Sequence, residues 1–213
     1  DREIVFSQIE NFTDQAGYNA LMKSEEFWER CIGDDILIFQ SDTLLCDKSN
    51  YKIEDFMGFD YIGGWPSAVS FMHMAHLYPF GYTHMNGGLS FRKKSKMLKI
   101  VKDLDVDRLK ENWVLNFRHQ GLDLPPEPED VVFSNMIKDR PKPKDVLAFS
   151  FDNGWPTERV RNINDMKEQH GLEERIIIPH VEIPFGLHQP TVFATTKMPE
   201  LFKDYPGPYY SGN

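Results

Sequence analysis

Cysteine is nearly absent: Cys31 and Cys46 are the only two in 213 residues. Two cannot make a disulfide framework, and a pair of buried thiols in a reducing compartment is expected. Long apolar runs are missing as well. No stretch approaches the roughly 20 residues that cross a bilayer, and no charged-then-apolar leader opens the chain. A soluble, cytoplasmic protein with no membrane span is the expectation. Positive charge is in deficit: a net charge of −9 argues against a nucleic-acid groove or an anionic membrane surface, both of which need clustered Lys and Arg. No nucleic-acid partner is expected, and room remains only for a local basic patch. Internal repeats and low-complexity tracts are lacking too, and the sequon Asn11-Phe12-Thr13 carries little meaning in a cytosolic setting.

What is present suffices for one well-buried core, since 40% of the residues are hydrophobic and 13% aromatic. A single domain over residues 1–213 is expected, possibly cut from a longer chain because it begins at Asp1 without a Met. Residues 3–8, EIVFSQ, read as a first strand. Thr13 is placed to cap one helix in which Ala16, Ala20, Leu21, Phe27 and Trp28 share a face up to Cys31. The run Ile36, Leu37, Ile38, Phe39 completes β-α-β. Short strands are expected at Tyr61-Ile62 and around Leu89 to Phe91. Helical spacing follows at Met97, Leu98, Ile100, Val101 and Leu104, again over residues 109–117, and again from Val131 to Ile137. DVLAFSF and RIIIPHVEIPF supply late strands, and the Pro- and Gly-rich tail YPGPYYSGN has no periodicity. Strands alternating with helices predict an α/β sandwich whose central sheet is mixed but mostly parallel, with ligands bound beyond the strand ends.

Four segments end an apolar element in polar groups. Gln40-Ser41-Asp42 closes the strand DILIF, where the competing reading is a turn in which Ser41 or Asp42 bonds local backbone. Asn86 precedes Gly87 and Gly88, which let backbone approach a ligand closely. Glu129 and Asp130 open a helix, where the macrodipole favours acids and where simple capping is the alternative. His188 follows PFGL, and a lone His is more often packed than ligating. His73, His76 and His84, among methionines, suit a flap or a helix with surface histidines better than a metal site.

Together, and in order, FQSD, DYIGGWP, NGGLSFR, PEDVVFSNMI, AFSFD and PFGLH resemble a glycosyltransferase-like family otherwise catalogued only as a domain of unknown function. They are also similar to the small glycosyltransferase domain with which large algal DNA viruses glycosylate their capsid protein. The likeness runs from Tyr18 to His188. It implies the nucleotide-diphosphosugar transferase fold called GT-A and transfer from a nucleotide sugar, a UDP-sugar by preference, to a glycan or glycoprotein acceptor. It implies a metal cofactor, Mn²⁺ or Mg²⁺, at the position of an Asp-x-Asp motif. Here that motif reads Gln40-Ser41-Asp42, lacking its first acid, so Asp42 and His188 are the expected ligands and metal binding without donor is expected to be weak. The likeness also implies donor contacts from Gln40, Ser41, Asp42, Asp60, Trp65, Asn86, Gly87, Gly88 and Arg92. Arg92 and Lys93 would face the diphosphate, although RKKSK is equally a solvated helix start. Asp130 is the expected base of an inverting reaction and Glu129 its fallback, with the helix dipole and backbone N–H groups keeping either acid ionised at neutral pH.

One departure is that only about 40 residues precede Asp42, fewer than such enzymes use for their nucleotide-binding strand and helix. A minimal version with EIVFSQIENF lining the base pocket is expected. Two other classes compete. A carbohydrate-binding module could have kept the fold and lost catalysis, as the Gln40 exchange suggests. A sugar-phosphate nucleotidyltransferase would also join an α/β sheet to acidic metal ligands, but it needs a Gly-rich triphosphate loop near the first strand, and none stands near Glu3 to Asn11.

Overall fold

The computed structural model describes residues 14–65, 84–104, 128–152, 164–165, 168 and 183–189. Six strands appear among them: β1 Asp35–Phe39, β2 Thr43–Leu45, β3 Tyr61–Gly64, β4 Asn86–Lys93, β5 Ser150–Asp152 and β6 Gly186–His188. Five helices accompany them: α1 Gln15–Met22, α2 Glu25–Arg30, α3 Lys94–Lys102, α4 Glu129–Met136 and α5 Pro143–Phe149, with a 3₁₀ turn at Ile53–Phe56. The expected elements at residues 3–8 and 109–117, most of RIIIPHVEIPF, the tail, Thr13, and His73 and His76 lie outside the described residues.

The strands form two three-stranded sheets, β1-β4-β3 and β2-β6-β5. Trp65 joins them: its N–H donates to the Ser150 carbonyl at 2.8 Å and its carbonyl accepts from the Asp152 N–H at 2.9 Å. An α/β architecture is as expected, but a mostly parallel sheet is not. Of the four ladders among the described residues, β1–β4, β3–β4 and β2–β6 are antiparallel and β5–β6 is parallel. The reason is β4, which lies reversed between β1 and β3 and so keeps those two from pairing with each other, while the parallel pairing moves to Trp65, just after β3, which bridges to Phe151 of β5.

Being central, β4 is buried from Gly87 through Arg92, and its two faces differ. Leu89 and Phe91 point one way into the apolar core, while Ser90 and Arg92 share the other face, as the two-residue period of a strand requires. The core continues through Trp28, Tyr61, Phe133, Phe149 and Phe151. Trp28 meets Phe133 edge-on at 5.9 Å and anchors its indole N–H on the Met22 carbonyl at 2.7 Å. Phe149 stacks on Phe185 at 5.7 Å and meets Phe56 edge-on at 5.0 Å.

Local chemistry redraws two of the expected elements. The first helix is two, because Ser24 accepts from the Phe27 N–H at 3.2 Å and starts α2. The cap of α1 is Asp14, which accepts from the Gly17 N–H at 2.8 Å. DVLAFSF is a helix before it is a strand: Pro143 sits in the first turn of α5, whose start Asp145 supports by accepting the Lys142 N–H, and only Ser150–Asp152 extends.

Candidate functional site

The turn at residues 40–42 carries the chain from β1, at the edge of one sheet, into β2, at the edge of the other. The Gln40 N–H still bonds β4 at the Gly88 carbonyl, 2.9 Å, and the Thr43 N–H closes the turn on the Gln40 carbonyl at 3.0 Å. So the chain crosses between the sheets at the point where its side chains become polar.

His188 arrives at this turn from β6. Its ring is 3% exposed, with Nε2 3.0 Å from Gln40 Oε1 and 3.4 Å from Asp42 Oδ1. Behind the ring, Nδ1 lies 3.0 Å from Asp152 Oδ1. Gln189, the next residue, takes φ 46, a left-handed conformation unusual for a side-chain-bearing residue, while its N–H donates to the Asp42 carbonyl at 3.1 Å. Such strain tends to mark functional segments.

Across the cleft stands the start of α4. Asp130 accepts from the Gly87 N–H at 3.2 Å and from the Val131 N–H at 2.8 Å. Burial pushes its carboxyl above the ordinary range, with the Gly87 N–H and Arg92 opposing. Desolvation thus outweighs the backbone N–H groups that were expected to help keep this acid ionised. Glu129 is nearly inaccessible and binds Arg92 through two contacts, 2.6 and 3.0 Å. Burial raises Glu129 too, and Arg92 counteracts it.

Arg92, expected to contact the donor, is turned into the interior and is not among the residues that line the cleft. Its side chain is wholly buried, with Nε donating to Ser90 Oγ at 2.9 Å and the guanidinium 4.9 Å from the Tyr61 ring centre and 5.3 Å from that of Phe133. Burial alone would lower its pKa, but the charges of Glu129 and Tyr61 hold it above its usual value.

A cleft of about 420 Å³ opens between these walls. Gln40, Asn86, Gly88, Glu129, Asp130 and His188 line it, joined by Asp14, Gln15, Tyr18 and Asn19 from the α1 end and by Pro128 and Gln189. Burial pushes the Tyr18 hydroxyl up to about 12, Glu129 adding to the effect. Of the expected site residues, Ser41, Asp42, Asp60, Trp65, Gly87 and Arg92 are not among the lining, though Asp42 touches it through His188. Asp60 pairs with Lys96 at 3.2 Å, and Trp65 is a core residue at the seam of the sheets. Gly87 and Gly88 have a packing reason. A methyl group on Gly87 would collide with Glu129 and stand 2.7 Å from an Arg92 nitrogen, and one on Gly88 would collide with the His188 ring. His84 is buried rather than on a surface, and burial lowers its pKa to about 4 against the pull of Asp152.

Asp152 is the residue that sequence reasoning missed. The signal was available: AFSFD ends in an acid where other strands also end in polar groups.

Among the described residues no group of three or more His, Cys, Asp and Glu side chains is arranged to hold a metal ion. What converges instead is one imidazole nitrogen, one carboxylate oxygen and one amide oxygen. This mixed oxygen and nitrogen set suits Mn²⁺, and oxygen-preferring Mg²⁺ less well. Its 3.0 and 3.4 Å separations are close to the roughly 3 Å between neighbouring ligands of an octahedral shell. The set fits such an ion as a partial shell, leaving positions for ligand oxygens and water. Among the described residues that line the cleft there is no Lys or Arg.

No helix among the described residues is long and apolar enough to cross a membrane. Comparison with curated proteins and with solved structures finds no match. The model of one family, described as protein of unknown function (DUF5672), matches residues 1–168, and the chain belongs to that family.

Proposed function

We propose that the protein is a metal-dependent glycosyltransferase of GT-A type, moving a sugar from a nucleotide sugar, a UDP-sugar by preference, to a glycan or glycoprotein hydroxyl with inversion. The observation that carries this reading is the meeting of Gln40, Asp42 and His188, from two separate segments, beside a cleft whose far wall holds Asp130. When bound there, Mn²⁺ or Mg²⁺ supplies positive charge to the departing diphosphate. Gln40, Asp42 and His188 would hold it. A diphosphate brought beside the Asp42 carboxylate needs that positive charge, so an anionic donor should bind poorly without a cation. Asp130 takes the proton of the acceptor hydroxyl as that oxygen bonds to the anomeric carbon and the bond to the diphosphate breaks on the opposite side. A carboxyl raised by burial is better matched to this task than one of ordinary acidity. Glu129, committed to Arg92, is the poorer candidate.

The test is thermal stabilisation by a panel of nucleotide sugars with and without Mn²⁺, followed by transfer assays. A donor at a hundred times its dissociation constant adds about 2.7 kcal/mol, and that gain should require the cation. No stabilisation by any donor with Mn²⁺ or Mg²⁺ sinks the reading. Proton NMR of the product tests Asp130 separately, because retention of the anomeric configuration excludes its role as base in a single displacement. A second reading, a carbohydrate-binding module, is favoured by the amide that Gln40 puts where the metal motif has its first acid. Binding of neutral glycans without metal, together with no donor binding, would select it.

A further inference from the structure

His188 is held on two sides. Asp152 and His188 are register partners on the parallel strands β5 and β6, so their 3.0 Å contact is built into the sheet and not into a loop. The Asp152 N–H is tied in turn to the Trp65 carbonyl, fixing β5 from its other edge. Gly88 packs against the ring so closely that no β-carbon fits between them. The ring therefore has little freedom to turn, and what remains to be set is which nitrogen carries its proton.

An ionised carboxylate only accepts hydrogen bonds. We propose that Asp152 is a positioning residue that fixes neutral His188 in the Nδ1–H tautomer, so that Nε2 presents a lone pair toward Gln40 and Asp42. The consequence on that side is a meeting of acceptors. Nε2 and Asp42 Oδ1 both offer lone pairs 3.4 Å apart, and Gln40 Oε1 lies 3.0 Å from Nε2. Such a cluster repels itself until something positive or a donor enters. The Gln40 amide can rotate to give its NH₂ to Nε2, or turn its oxygen inward beside a cation, a choice that an aspartate at position 40 does not have. The cation part of this inference rests on the proposed function, whereas the tautomer does not.

The test is ¹⁵N–¹H NMR of the histidine ring nitrogens at pH 8, with the His188 signals identified by their loss in His188→Gln. Wild type should show a protonated Nδ1 and a bare Nε2. Asp152→Asn can donate to Nδ1 through its amide and should move the population toward Nε2–H, and Asp152→Glu should restore the original pattern in part. Calorimetry with Mn²⁺ alone should then show affinity falling 10- to 100-fold in Asp152→Asn, the usual effect of removing a group that orients a ligating histidine. A wild-type ring protonated at Nε2, or at both nitrogens, overturns the proposal without any variant having to fold. So does an unchanged tautomer in a folded Asp152→Asn protein. If the tautomer moves as stated but wild type binds Mn²⁺ neither alone nor together with any nucleotide sugar, the positioning role of Asp152 stands and the metal-dependent reading of the cleft fails.

Discussion

Gly87 and Gly88 are neighbours on β4, yet they abut opposite kinds of polar cluster. Against Gly87 lies Arg92 with Glu129, a pair whose donors and acceptors meet each other, Ser90 and a cage of aromatic rings. Against Gly88 lies His188, with Asp152 satisfying one nitrogen while acceptors crowd the other. The first cluster is saturated, so its free energy goes into holding α4 on β4. The second is left short of positive charge at the cleft, so it is suited to receiving a ligand. Burial alone does not separate them, because Arg92, Glu129, His188 and Asp152 are all buried. Saturation does.

Breaking the saturated side should give the largest loss of stability. Arg92→Met leaves Glu129 buried without its partner and is expected to cost about 3–5 kcal/mol in urea unfolding. The double variant Arg92→Met/Glu129→Leu should lose less than the single one, since no orphan charge remains. If the single and double variants are equally unstable, the pair is not the self-contained unit described.

The next effect is one of pH. His84 is buried with its pKa lowered to about 4 from 6.5. Between those values the unfolded chain binds more protons than the folded one, so stability falls as pH drops through the window and is fully present above it. At about 1.4 kcal/mol per unit the loss is about 3 kcal/mol, and His84→Gln should flatten that part of the stability curve measured from pH 7 to pH 4. Gly88→Ala comes third, at about 1–3 kcal/mol for overpacking against the His188 ring. It should also weaken Mn²⁺-dependent donor binding, which a change confined to the saturated side would not do directly. Smallest in stability is Asp42→Asn. The side chain is 38% exposed, so the change should stay within about 0.5 kcal/mol, yet calorimetry should show metal-dependent donor binding removed. Unchanged binding in this variant would place the open cluster outside the function.

The sequence carried the positions of the site better than its wiring. Gln40, Asn86, Asp130 and His188 each stand where an apolar element ends in a polar group, and that local contrast is visible in one dimension. Arg92 shows the limit. RKKSK looks like a solvated basic start, because nothing nearby tells that Glu129 reaches it from 37 positions away. Glycines were read as openings for a ligand, but the space beside Gly87 and Gly88 is already taken by side chains. Helix boundaries were more legible than they were read: Ser24 before Glu25-Glu26 and Pro143 before Asp145 are start signals in plain view. The antiparallel pairing of β4 was not legible, since strand direction is set by where the connecting segments return.

Trp65 gives the site a mechanical side. Gln40 leaves the sheet of β1, β4 and β3, whereas His188 belongs to the sheet of β2, β6 and β5, and the two sheets are hydrogen-bonded to each other at Trp65. The 3.0 Å contact between Gln40 and His188 therefore spans a seam, and a slide of one sheet past the other by half an ångström would open or close it. Anything gripped by both residues acts as a second rivet beside Trp65. Its binding should slow hydrogen exchange at the Trp65 and Asp152 amides, which hold the seam from β3 and β5 and need not touch the ligand to register its arrival.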